Sequence, residues 1–174
     1  MAVFDKKEAF LKQIGIFLQK REYEKAYELS KEFTARYDNA ISHLILSKCL
    51  FWMGSYKEML PEARKALRMS TGDDKEPAAV LLAAACYKLG RLAEGQKALS
   101  GLGETKNMDA IKMRFMIAAM QGKKKEQEEL LRNLAAIDQK EAESFAMSII
   151  LQKDFETIDA VRAVPKKISP SKRK

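Results

Sequence analysis

The 174-residue sequence predicts an all-α protein, built as a right-handed solenoid of about five antiparallel helix pairs. Apolar residues recur at positions i, i+3, i+4 and i+7 along almost the whole chain, which is the period of a helix with one buried face. Gly and Pro are scarce, with 8 and 4 residues, and an all-β chain needs more of both for its turns. The breaks between the periodic stretches are short and evenly placed. Together these observations predict helices in regular succession.

Ten periodic stretches are predicted to be helices. In pairs they cover residues 4–20 with 21–37, 39–53 with 56–70, 78–89 with 92–102, 108–120 with 124–137, and 141–152 with 154–164. A loop at 71–77, which contains Pro77, separates the second pair from the third. Pro61 lies inside the helix predicted at 56–70, and we expect it to kink that helix or to delay its regular part to about Leu60.

The turns within the five pairs are marked by Arg21, Gly54, Gly90, Gly122 and Lys153. These landmarks lie 33, 36, 32 and 31 residues apart. The tetratricopeptide repeat (TPR) has a similar period of about 34 residues per helix pair. A single pair cannot bury its own apolar face, so a regular period implies that each pair packs on its neighbours.

The residues around these turns resemble the TPR family over residues 6–163. That family often has Gly in the turn, an aromatic residue two positions later, and small residues where the helices touch. The matching residues are Gly54, Tyr56, Ala63 and Ala66 in the second pair, Tyr23, Ala26 and Phe33 in the first, Gly90, Leu92, Gly95 and Leu99 in the third, and Phe155 in the fifth. The fourth pair departs from the pattern with Lys124 and Gln127, and we expect its second helix to pack loosely or to be displaced. The Trp and Gly that the family carries in its first helix are absent from every pair.

The resemblance implies that the first helix of each pair lines a concave groove that binds a segment of a partner protein. The groove positions carried over from the family are Leu44, Lys48, Phe51, Trp52, Val80, Ala84, Tyr87, Lys112, Met116 and Met120, with Leu11 and Leu18 before them and Met147 and Leu151 after them. Trp, Tyr and Met suit such a surface because they offer large or adaptable contact area. The alternative is that these side chains pack against neighbouring helices and line nothing.

Two finer resemblances bear on the partner. TPR domains that clamp a chaperone's C-terminal carboxylate use Lys, Asn and Arg at positions that here hold Leu11, Gly15, Ile45, Pro77 and Leu81, so a clamp of that kind is not expected. Residues 81–101 are similar to a segment of the TPR scaffold subunits of the anaphase-promoting complex, in which such stacks dimerise. That likeness implies that the groove could also serve a homodimer.

No motif in the sequence indicates an enzyme, a cofactor or a metal site. Phosphate-binding and dinucleotide-binding glycine patterns, the zinc-protease motif and the serine-hydrolase motif are all missing. The single histidine, His43, lies among apolar residues and is expected in the core or at its boundary. Cys49 and Cys86 lack any metal-ligand spacing and are expected to be buried, reduced residues.

The net charge of +8 comes mostly from the last ten residues. Residues 165–174 hold five basic side chains and no acid, at Lys166, Lys167, Lys172, Arg173 and Lys174, so the rest of the chain has 27 basic and 24 acidic side chains. We therefore expect a helical domain at 1–164 and a basic disordered tail at 165–174. The tail is open to three interpretations: an inert solvated segment, a nuclear-import signal or a contact to a polyanion.

Two functions follow from these observations. The first is a protein-interaction scaffold or adaptor that uses the apolar groove. The alternative is a ribonucleoprotein- or ribosome-associated factor that contacts nucleic acid through the tail. The sequence has no apolar run of about 18 residues and no signal-peptide core, so we expect no contact with a membrane and a cytoplasmic location, or a nuclear one if the tail directs import.

Overall fold

The computed structural model describes residues 6–150, and these residues are helical almost throughout. They form nine α-helices and no strand: α1 (Lys6–Gln19), α2 (Tyr23–Arg36), α3 (Ala40–Trp52), α4 (Tyr56–Met69), α5 (Lys75–Lys88), α6 (Leu92–Ser100), α7 (Met108–Met120), α8 (Lys124–Ile137) and α9 (Gln139–Ile150). Nine of the ten predicted helices are therefore present. The tenth, predicted at 154–164, lies outside the described residues.

The chain divides into two units, Met1–Glu104 and Thr105–Lys174. In the first unit, helices that follow one another in the sequence pack together from α1 to α6, and α3 also touches α5. Contact between the first helices of successive pairs is what a stack of repeats requires. In the second unit, α7 packs on α8, and α8 packs on α9. The single domain over residues 1–164 stays a prediction.

The turn between the paired helices has the same conformation in all four described pairs. Its middle residue has a positive φ of 59° at Arg21, 73° at Gly54, 72° at Gly90 and 70° at Gly122. The next residue donates its backbone N–H to a carbonyl five residues earlier, as Ser55 does to Leu50 at 2.9 Å. This hydrogen bond closes the helix with a Schellman motif, which favours glycine at the left-handed position. The predicted turn landmarks are correct for these four pairs, and Lys153 lies outside the described residues.

The prediction at Pro77 is wrong, and at Pro61 the delayed start is wrong while the alternative, a kink, stays a prediction. Helix α5 begins at Lys75, after a 3₁₀ turn at Gly72–Asp74, and not at residue 78. Pro77 is thus its third residue, a position whose N–H has no partner within the helix in any case. Helix α4 begins at Tyr56 and continues through Pro61, so its regular part is not delayed to Leu60.

Each unit has its own buried core. Phe33, Cys49, Met59 and Cys86 are among the fully buried side chains of the first unit, together with the small residues Ala26, Ala63 and Ala66 that the sequence placed at helix contacts. In the second unit Phe115 of α7 packs with Leu131 and Leu134 of α8. Because α8 buries these leucines, the expectation that the second helix of the fourth pair packs loosely is wrong.

Candidate protein-interaction face

Trp52 is a predicted groove residue that combines a large aromatic ring with high exposure. It is the last residue of α3, and 52% of its surface is exposed. Its indole ring lies parallel to the ring of Tyr23, the first residue of α2, with 6.0 Å between the centroids and 9° between the planes. The ring of Phe51 meets it edge-on at 5.4 Å. Trp52 is therefore held by two neighbours and still offers half of its surface to a partner.

The contacts of Trp52 continue into a row of aromatic side chains that spans all three helix pairs of the first unit. Phe51 also meets Tyr56 edge-on, with 6.1 Å between the centroids. The ammonium group of Lys88 lies 5.7 Å from the ring centre of Tyr56 and 6.0 Å from that of Tyr87. We call these five side chains the aromatic row: Tyr23, Trp52, Phe51, Tyr56 and Tyr87.

The aromatic row includes two residues that the sequence analysis assigned to another role. Tyr23 and Tyr56 were predicted only as the aromatic residues that follow the turn in TPR pairs. In the structure they also contact predicted groove residues. The repeated position of the two tyrosines, two residues after Arg21 and Gly54, was the available signal. Lys88 was not predicted, and no pattern in the sequence sets it apart from other exposed lysines.

The remaining predicted residues of the first unit differ in exposure. Lys48, one helical turn before Trp52, is exposed. Leu44 and Val80 are half-buried, and so are Leu11 and Leu18, which pack against the core cluster around Phe33. Ala84 is buried, with 5% of its surface exposed, and so offers little area to a partner. On α5, fewer of the predicted residues are therefore available to a partner than the sequence suggested.

In the second unit, two of the predicted groove residues contact other side chains of the unit and two are exposed. Lys112 forms an ion pair with Glu141 of α9 and lies 5.8 Å from the ring centre of Phe145, so its charge already has a partner. Met116 packs against the core of this unit. Met120 is 59% exposed and Met147 is 48% exposed. Leu151 and the five basic tail residues lie outside the described residues.

The single histidine and the two cysteines are buried. Both ring nitrogens of His43 are bonded, with Nδ1 at 2.6 Å from Glu62 and Nε2 at 2.6 Å from Asp38. Cys49 and Cys86 are buried and unpaired, as predicted. Burial raises the pKa of the Cys49 thiol, and it raises that of Cys86 to about 11. Within residues 6–150, no group of His, Cys, Asp and Glu side chains has an arrangement that could hold a metal ion.

Comparison with known proteins supports the fold class. No protein-family model and no curated protein matches this sequence. A solved structure titled "MamA RS-1 ArsTM double mutant" matches with a TM-score of 0.68 and 14% sequence identity, over 94% of this chain and 96% of that one. MamA is a TPR-like helical solenoid, and at this identity the likeness concerns the fold alone. The predicted all-α, TPR-like class is confirmed, whereas the resemblance to subunits of the anaphase-promoting complex has no support from these comparisons.

The helices of the described region are short. None of those between residues 6 and 150 is both long and apolar enough to cross a membrane.

Proposed function

We propose that the chain is a non-enzymatic scaffold that binds a segment of a partner protein on the first-helix face of its pairs. The observation that carries this proposal is the exposure of Trp52 while Tyr23 and Phe51 hold it in place. A tryptophan whose orientation is already fixed loses little conformational freedom on binding, and tryptophan is enriched among the residues that dominate interface energies. The TPR-like fold adds support, because such folds commonly serve protein partners.

The state of the reactive side chains also favours a binding role. His43 is 1% exposed and bonded on both nitrogens, so it is not available to transfer a proton to a substrate. The cysteine thiols are buried, and burial favours their protonated, unreactive form. The exposed side chains of the face are apolar, aromatic or lysine, which are the groups of a contact surface.

Affinity capture with a pair of matched variants tests the face. The full chain and the double variant Phe51→Ala/Trp52→Ala are used to capture partners from cell extract, and the captured protein is identified, purified and titrated against both. We expect the double variant to bind at least about tenfold more weakly, which is typical when a tryptophan at the centre of an interface is removed. Met69→Ala, which truncates a 38%-exposed side chain on α4, is the control and should bind as the parent does. Equal binding by the double variant would refute the proposal.

Removal of residues 165–174 separates this function from the nucleic-acid alternative. We expect the shortened chain to keep its partner at 0.5 M salt, because the aromatic row and not the basic tail makes the contact. Loss of all binding on truncation would favour the tail. Light scattering of the purified chain then shows whether the captured partner is a second copy of the same chain.

A further inference from the structure

We propose that the aromatic row takes an acidic segment of the partner, which lays an apolar side chain on Trp52 and directs carboxylates to Lys48 and Lys88. This inference rests on the proposed function and adds the chemistry of the partner to it. The three side chains belong to one unit and lie at or near the ends of α3 and α5.

The apolar part of the site is organised before any partner arrives. Tyr23 stacks on Trp52, and Phe51 supports Trp52 from the side, so the indole is restrained although 52% of it is exposed. A flat, restrained aromatic surface favours an aromatic or large aliphatic side chain as its partner, because the contact buries apolar area without ordering the tryptophan further.

The charges beside the row distinguish it from four other contacts between a cation and an aromatic ring in residues 6–150. In each of these four contacts, the cation also has a carboxylate within ion-pair distance. These pairs are Lys25 with Glu22, Lys31 with Glu28, Arg36 with Glu32, and Lys112 with Glu141. Lys88 lies over two rings of the row, and none of the carboxylates in residues 6–150 forms an ion pair with it.

Lys48 shares this property. It is exposed on α3, one turn before Trp52, and within the described part of the chain it too has no carboxylate at ion-pair distance. The row is thus flanked by two lysines that no carboxylate of residues 6–150 pairs with. A segment that carries carboxylates would complement them and would steer its own approach to the face.

A protein segment fits these charges better than a nucleic acid does. Interfaces with nucleic acid are much more positive than interfaces with proteins. Without the last ten residues, the chain has 27 basic and 24 acidic side chains, which is close to balance. A base could stack on Trp52, but the near balance of charge over the rest of the chain gives a track of phosphates little net attraction.

Selection from a library of short random peptides tests the proposed chemistry without knowledge of the natural partner. Displayed peptides are selected on the full chain and then depleted on the Trp52→Ala variant. We expect the enriched peptides to have net negative charge and at least one aromatic or large aliphatic residue. Enrichment of neutral or basic peptides, or of none that distinguishes the two proteins, would overturn the proposal.

The affinity of a selected peptide can be read at the site itself, because Trp52 is the one tryptophan in the sequence. A peptide without tryptophan should change the emission of Trp52 as it binds. We expect Lys48→Glu/Lys88→Glu to weaken binding about tenfold at low salt, with a smaller loss at high salt, since each reversal replaces attraction with repulsion. Lys48→Arg/Lys88→Arg should largely preserve it. Lys12→Glu/Lys97→Glu, which reverses two other exposed lysines of this unit, is the control for net charge.

Competition and self-association experiments test whether a nucleic acid or a second copy of the chain occupies the aromatic row instead. If a single-stranded oligonucleotide binds more tightly than the peptide and displaces it, the row is a nucleic-acid site and the proposal is wrong. It is also wrong if the chain without peptide forms dimers that change the emission of Trp52.

The proposed scaffold function and the proposed acidic segment can fail separately. If Trp52→Ala abolishes capture of the natural partner while the lysine reversals leave it unchanged, the scaffold stands and the acidic segment does not; if Trp52→Ala leaves capture unchanged, both proposals fail.

Discussion

The two units of the chain bury different kinds of side chain. In the first unit, polar residues are buried at Ser30, Ser42, His43, Ser47 and Ser70. Between residues 105 and 150 of the second unit, the buried side chains are apolar, as at Ile111 and Leu131. His43 connects the loop before α3 to α4 by hydrogen bonds to Asp38 and Glu62, whereas α7 and α8 share an apolar core around Phe115. The buried packing of the first unit therefore includes directional contacts, whereas the buried side chains between residues 105 and 150 pack through volume and shape.

The first unit also departs twice from the local rules of helix geometry. Arg21 adopts the left-handed conformation that glycine has in the other three turns, and Pro61 lies inside α4. Each departure is adjacent to a directional contact: Glu62 follows Pro61 and bonds His43, and Tyr23, two residues after Arg21, stacks on Trp52. Helices α7 to α9 contain no proline, and their first turn has Gly122. We infer that specific contacts between helices let the first unit tolerate local strain.

The largest effect is expected in the apolar core of the second unit. Phe115→Ala should destabilise the second unit by about 3–5 kcal/mol, because the side chain is 2% exposed and leaves a cavity among leucines. Urea denaturation with hydrogen exchange resolved by helix measures the change. Ile137→Ala, at a 41%-exposed position of the same unit, is the control and should cost less than about 1 kcal/mol. Similar losses for the two variants would mean that the apolar core does not hold this unit together.

A smaller but still clear loss is expected from the directional contact of the first unit. His43→Leu keeps the volume but removes both hydrogen bonds, and it leaves the carboxylate of Glu62, whose side chain is 20% exposed, without its histidine partner. We expect a loss of about 2–3 kcal/mol in the free energy of unfolding. Asp38→Asn changes the exposed end of the same network and should cost less than about 1 kcal/mol. If His43→Leu is as stable as the parent, the first unit resembles the second and the contrast between them disappears.

The order and position of the helices could be predicted because local signals determine them. Helices α7 and α8 begin and end where the apolar period and the turn at Gly122 placed them. The start of α5 was missed because a proline can either precede a helix or stand in its first turn, and the sequence around Pro77 does not distinguish the two.

The face could be predicted only in part, because exposure depends on contacts between residues far apart in the sequence. The helical period places Lys112 and Trp52 on first helices, but it does not show that Glu141 pairs with the lysine or that Tyr23 stacks on the tryptophan. Both partners lie 29 residues from the residue they contact. For the same reason Ala84 was assigned to the surface although neighbouring helices cover it.

Replacement of the helix proline tests how much strain the first unit tolerates. Pro61 has no N–H for the carbonyl of Lys57, so Pro61→Ala restores one hydrogen bond of α4. We expect it to raise the free energy of unfolding by about 1–3 kcal/mol, with the lower part of the range favoured by the exposure of this position. Pro77→Ala, in the first turn of α5, is the matched control and should change stability by less than about 0.5 kcal/mol, since no hydrogen bond is missing there. Equal effects at the two prolines would show that α4 carries no strain.

The smallest change concerns the turn residue in which the first pair differs from the other three. A left-handed conformation costs a residue with a side chain about 1–2 kcal/mol, and the greater freedom of glycine in the unfolded chain offsets part of this difference. Arg21→Gly should therefore stabilise the first unit by about 0.5–1 kcal/mol, and Gly54→Ala should destabilise it by a similar amount. A Cβ at Gly54 would meet no atom within 4 Å, so the second effect reports backbone conformation and not a clash. Thermal or urea unfolding of both single variants and of their combination measures the difference. If Arg21→Gly has no effect while Gly54→Ala destabilises, contacts of the arginine side chain compensate for its backbone, and the first turn differs from the others in more than its strain.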